Sequence, residues 1–106
     1  MKLITPVFEA LLKDYPLYSQ EKEKDPMVIA KLFMTQGSAT WYILEFDTTT
    51  KQAFGYVSGL CPGGDELGYI SLEELEEYNK CHPFKVERDM YFRPARLSKF
   101  KGGEDG

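Results

Sequence analysis

Three runs rich in β-branched and aromatic residues, "MVIAKLFMT" from Met27, "TWYILEFD" from Thr40 and "AFGYVSGL" from Ala53, follow one another with only short polar links. Links this short cannot carry the crossover that a parallel pair needs, so the runs predict three consecutive antiparallel strands. Within the third run, alternation puts Phe54, Tyr56 and Ser58 on one face and Ala53, Gly55 and Val57 on the other. Further on, "VERDMYF" alternates Val86, Arg88, Met90 and Phe92 against Glu87, Asp89 and Tyr91, a candidate fourth strand ended by Pro94.

Two helices flank these runs. Thr5 and Pro6 supply an N-cap hydroxyl and a first-turn proline, and Val7, Phe8, Leu11 and Leu12 recur at helical spacing on one face. Pro16 stops this helix, and "YSQEKEKDP" after it lacks apolar periodicity and reads as a polar connection. Pro62, Gly63 and Gly64 are turn residues, and Ser71 with Glu74 forms an S-x-x-E capping box that starts a second helix carrying Leu72 and Leu75 on one face. The expected fold is therefore α+β: an antiparallel three- to four-stranded sheet with two short helices packed on one face. A length of 106 residues fits one globular domain over 1–101, with 102–106 as a flexible tail.

The charge is unevenly placed. Between Lys85 and Lys101, six basic residues stand against Glu87 and Asp89, a balance of +4 in a chain of net charge −4, so the remainder carries −8. In that strip Tyr91, Phe92 and Phe100 interleave with Arg88, Arg93 and Arg96, the combination that stacks on bases and meets phosphates in nucleic-acid binding. A pI near 5.0 argues against general affinity for phosphate chains, and the same pattern fits a strand with aromatics facing a core. No segment approaches the roughly 18 apolar residues of a membrane span, and Glu9, Lys13 and Asp14 interrupt the start where a signal peptide would be apolar. The expectation is a cytoplasmic protein with reduced thiols and no contact with membranes.

Motifs that suggest chemistry each have a plainer explanation. Setting Gly68 at the sixth position of an EF-hand loop puts Gly63 at the first, Asp65 at the third, Leu67 at the fifth and Glu74 at the twelfth, which leaves two of the usual carboxylate positions empty. Cys81 beside His82 lacks the third, orienting group of a nucleophilic site, and Cys61 with Cys81 matches no common zinc spacing. Glu45 with Asp47, and Glu87 with Asp89, share strand faces as paired acids do, yet solvent-facing strands are often polar. The expectation is no metal, no cofactor and no assignable catalytic residue.

The segments "LYSQE", "DPMVIAKLFM", "WYILEFD", "FGYV", "ELGYISLEEL" and "VERDMYF" occur in an order and spacing that resembles the bacterial domain of unknown function 2958 family over nearly the whole chain. The resemblance implies a small protein of a kind often carried on plasmids and other mobile elements, in a family without an assigned activity. Its signature positions fall on Phe54 to Tyr56, Glu66 to Tyr69 and Glu87 to Asp89. Gly55 and Gly68 suit backbone requirements, while Glu66, Arg88 and Asp89 have no obvious packing duty, so an ion pair between Glu66 and Arg88 is expected.

The leading functional expectation is a non-enzymatic protein-binding module linked to mobile genetic elements, with Glu66, Tyr69, Arg88, Asp89, Arg93 and Arg96 as candidate binding residues. An antidefence inhibitor is one version of it, with Glu73, Glu74, Glu76 and Glu77 imitating a row of phosphates. The alternatives are a nucleic-acid-binding accessory protein that uses the Arg88 to Lys101 strip, and a small enzyme built on Glu66, Arg88 and Asp89.

Overall fold

A computed structural model describes residues 3–59 and 64–101. Among the described residues seven strands form, β1 (Met27–Val28), β2 (Ala30–Met34), β3 (Thr40–Asp47), β4 (Gln52–Ser58), β5 (Glu66–Ser71), β6 (Val86–Arg88) and β7 (Ala95–Arg96), together with helices α1 (Pro6–Leu11) and α2 (Leu72–Cys81). The main sheet has five antiparallel strands in the order β5-β4-β3-β2-β6, and β1 pairs with β7 in a small second sheet. The fold is α+β as expected, with more strands than the expected three or four.

The differences have physical causes. The run from Met27 splits at Ile29, so that β1 can pair with β7 while β2 joins the main sheet. Glu66–Ser71, which the sequence marks only by signature positions from Glu66 to Tyr69 and by the cap at Ser71, is a full strand whose register sets Tyr69 against Phe54 and Leu67 against Tyr56. Its glycine and its charged first residue mask the β signal. After Arg88 the fourth expected strand stops, because Asp89 turns the chain by accepting the Tyr91 and Phe92 amides on its side chain and its carbonyl. The helix starts follow the sequence: the Thr5 hydroxyl accepts the Phe8 amide at 3.1 Å, and that of Ser71 accepts the Glu74 amide at 3.2 Å. Of the four apolar positions, Phe8 in α1 and Leu12 at its C-cap are buried, while Val7 and Leu11 face outward.

Two apolar layers lie on opposite faces of the sheet. The larger joins Leu3, Phe8, Leu12 and Leu72 to Leu32, Trp41, Ile43, Phe46, Ala53, Ile70 and Val86, with Phe8 edge-on to Phe46 at 5.1 Å between ring centres. The smaller packs Val28, Leu44 and Tyr56 under Leu97, flanked by Tyr42, Phe54, Phe92 and Phe100. The second face is therefore covered as well, by the C-terminal segment and by loop 16–26. A β-bulge between Ile43 and Glu45 makes this arrangement, since the extra residue carries Leu44 and Glu45 together to the second face and returns Phe46 to the helix side. Gly55, opposite Ile43 at the bulge, has no room for a side chain, because a Cβ there would lie 2.2 Å from the Tyr42 carbonyl oxygen. Gly68 has no such constraint: a Cβ there would meet nothing within 4 Å.

Candidate functional site

The second face holds a cleft of about 540 Å³ between loop 16–26, the β3–β5 ladder and the turn at Leu97–Lys101. Leu44, Phe54, Leu67 and Leu97 give it apolar walls, Tyr18 and Tyr69 line it, and its charged residues are the four acids Glu21, Glu23, Asp25 and Glu45 and the two bases Lys24 and Lys101.

Glu45 organises the loop. The bulge turns this side chain away from the helix-covered core, and it is only 4% exposed, so its charge needs close donors. It has them in the backbone: the Tyr18 amide donates to one carboxylate oxygen at 2.8 Å and the Gln20 amide to the other at 2.8 Å. The Gln20 side chain extends the clamp, with its amide donating to the Leu44 and Met27 carbonyls while its own carbonyl accepts the Met27 amide. Loop 16–26 is thus fastened from within by a buried carboxylate and a buried amide. Gripped there, Tyr18 adopts φ 73°, a left-handed conformation uncommon for an aromatic residue. The Tyr69 hydroxyl donates to that of Tyr18 at 3.4 Å, and this bond, ahead of desolvation, holds the Tyr69 phenol above its usual pKa. Phe54 meets Tyr69 edge-on at 5.1 Å between centres.

Asp25 closes the other side. It accepts the Ser98 hydroxyl at 2.7 Å and the Ser98 amide at 2.8 Å, which hold its carboxyl below the ordinary range, the hydroxyl first. The Leu97 amide donates to the Pro26 carbonyl at 2.8 Å, and Arg96 donates to the Asp25 carbonyl at 3.1 Å and lies 3.7 Å from Glu23. Lys101 sits 5.6 Å from the centre of the Tyr56 ring.

Of the six residues singled out from sequence, Tyr69 alone lines this cleft, while Arg96 on β7 reaches Asp25 and Glu23 of the acidic loop. Glu66 and Arg88 do not meet. They lie on β5 and β6, the opposite edges of the sheet, four strand spacings or roughly 19 Å apart. Asp89 shapes the turn after β6, and Arg93 is exposed in the segment before β7. Glu66, Arg88 and Asp89 therefore do not share a concave site. The basic strip is also less open than its sequence suggests: Phe100 stacks on Tyr42 at 4.9 Å and contacts Phe92 at 5.4 Å, which leaves Tyr91, 92% exposed, as the aromatic at its tip.

The other motifs resolve into structure. Residues of the supposed calcium loop form β5, and Asp65 accepts the Gly59 amide and the Ser58 hydroxyl. His82 stacks on Tyr78 at 3.8 Å and bonds through Nδ1 to the Tyr78 carbonyl, beside an exposed Cys81. Cys61, the other half of the zinc reading, lies outside the described residues. Among the described residues no group of three or more His, Cys, Asp or Glu side chains is placed to hold a metal, and no helix is long and apolar enough to cross a membrane.

Sequence reasoning missed Tyr18, Gln20, Asp25, Glu45, Phe54 and Leu67 as cleft residues. One signal was present: Glu45 interrupts the apolar run "WYIL" and "F" inside a strand. Such a charge has to find donors, and the polar loop was the available source.

A search of curated proteins and a search of solved structures both return no match. A family model does match, over residues 3–102, and its description reads "Protein of unknown function (DUF2958)". The match spans both apolar layers, the Glu45 clamp and every described residue of the cleft, and the chain belongs to this family.

Proposed function

We propose that the protein is a non-enzymatic binding module that acts in the biology of mobile elements by holding a cationic, partly apolar element of a partner protein in the cleft. The observation that carries this reading is the construction of the cleft: a buried carboxylate holds Tyr18 in a strained conformation at its mouth. Backbone strain persists only where the surroundings over-determine it, and it concentrates at binding sites. The acidic balance of the lining favours a cationic guest, and the apolar walls favour one with hydrocarbon beside its charge. Glu45 and Asp25 bind the chain's own amides, which suits shaping a site better than acid–base exchange.

Two features weigh against the other readings. The row of glutamates on α2 is partly spent, since Glu76 accepts the Leu3 and Ile4 amides and Glu77 pairs with Lys80, which weakens imitation of a phosphate row. Phe92 and Phe100 pack on each other and against the smaller apolar layer, which weakens stacking on bases.

Affinity capture from the organism of origin, after nuclease treatment, tests the proposal with wild type and Glu21→Lys in parallel. The expected result is a specific protein retained by wild type at 0.15 M salt and reduced about tenfold or more by the charge reversal. Equal retention by the two baits, or retention abolished by nuclease, overturns the reading, and in the second case the basic strip is the surface to pursue.

A further inference from the structure

The cleft is bordered by β5, an edge of the sheet, and the two edges differ. At the β6 edge the strand has three residues, Glu87 and Arg88 are charged, and the chain turns away at Asp89. Natural sheets blunt their edges in this way, with short strands and charge. β5 has six residues, with neither proline nor lysine, and its register with β4 is unbroken from Glu66 to Ser71. Among the described residues, no backbone group other than those of β4 bonds to the main chain of Glu66 to Ile70. In an antiparallel ladder, alternate residues of an edge strand turn their N–H and C=O groups outward, so β5 offers a row of unused donors and acceptors.

Side chains add direction. Leu67 and Tyr69, 45% and 54% exposed, both stand on the cleft side of β5 and line the cleft. Gly68 between them meets neither a steric limit nor a positive φ, so it weakens the strand without serving a contact inside the described chain. Glycine in a strand interior often marks the close approach of another backbone. The segment that carries β5 is acidic, since residues 64–79 contain six Asp and Glu and no Lys or Arg, and the cleft beside it has four carboxylates to two ammonium groups.

We infer that β5 is a strand-addition site: a basic, extended segment of a partner protein pairs with it through the main chain and sends alternate side chains, apolar and cationic, over Leu67 and Tyr69 into the cleft. This rests on the cleft reading above and specifies its guest. Main-chain hydrogen bonds supply affinity in this mode, and pockets for alternate side chains supply selectivity. A second copy of the chain would offer the same strand edges but would bring six more acids to an acidic border, so charge favours the basic partner.

The probe is a set of heptapeptides selected from a displayed random library against the intact protein, each then synthesised unmodified and with alternate amides N-methylated. The expected binders carry Lys or Arg at alternate positions and slow amide exchange within Glu66–Ser71. One of the two N-methylation patterns weakens them about tenfold or more, as loss of two or three hydrogen bonds requires. If binders lose affinity with Glu21→Lys while exchange in β5 and N-methylation have no effect, strand addition falls and the cleft reading stands. Protection of β5 that rises with protein concentration in the absence of peptide assigns the edge to a second copy and overturns the proposal. Selection that yields no binder overturns both readings.

Discussion

One face of the sheet is closed by helices through side-chain packing, and the other by a loop and a C-terminal segment fixed largely through hydrogen bonds. On the helix face, Phe8, Leu12 and Leu72 bury hydrocarbon against Trp41, Ile43 and Phe46, and removal of any part is felt throughout a continuous cluster. On the loop face, a small apolar layer is supplemented by Glu45, Gln20 and Asp25, which hold main-chain groups one by one. A chain that packed both faces alike would have had no cleft. The difference teaches that the binding surface arises where the protein fastens itself with polar contacts and leaves space between them.

The largest effect is expected on the helix face. Phe8 is fully buried and edge-on to Phe46, so Phe8→Ala should cost about 4 kcal/mol of global stability, read from the midpoint of urea unfolding. A loss below about 1 kcal/mol would mean that α1 is dispensable, and the contrast between the faces would disappear.

Glu45→Ala tests the other side. It deprives the Tyr18 and Gln20 amides of their acceptor, at a cost of about 2–3 kcal/mol for bonds to a charged group. The expected signature is local: exchange of the amides in loop 16–26 accelerates while those of the β2–β3 ladder keep their protection. Uniform acceleration across the molecule would show instead that the clamp belongs to the global core.

The fold was largely legible because strand alternation and helix caps are local signals. Phe54 and Tyr56 share a face, Thr5 and Ser71 begin helices, and the antiparallel order of the central strands follows from their short links, all as the residues indicate. The site was mostly hidden, because it depends on a bulge and on contacts between distant segments. Without the bulge, parity puts Glu45 on the face of Trp41 and Ile43, where a carboxylate has no donors. Nothing local in "YSQEKEKDP" says that Gln20 will reach Met27 and Leu44. Glu66 and Arg88 failed as a pair for the same reason in reverse: opposite charges suggest a bond, and only strand order shows that the whole sheet lies between them.

The smallest effect separates strain kept for a site from strain left in a turn. Tyr18 and Lys51 are the non-glycine residues with positive φ among those described, at 73° and 62°; the first stands at the cleft and the second ends the β3–β4 turn. A left-handed conformation costs an L-residue about 1–2 kcal/mol, and glycine returns part of that through its greater freedom when unfolded, so Tyr18→Gly should gain about 0.5 kcal/mol in thermal unfolding. Each change also removes one weak contact, the 3.4 Å bond from the Tyr69 hydroxyl at Tyr18 and the 3.3 Å ion pair to Glu9 at Lys51, so Lys51→Gly should gain about as much. The stability changes are nearly equal, and the binding changes should not be. Tyr18→Gly takes a phenol from the cleft and should weaken the selected peptides, whereas Lys51→Gly should leave their affinity unchanged. Equal binding by the two variants would place Tyr18 with Lys51, as a turn residue whose strain serves nothing, and would remove the main physical reason for treating the loop face as the working face of the molecule.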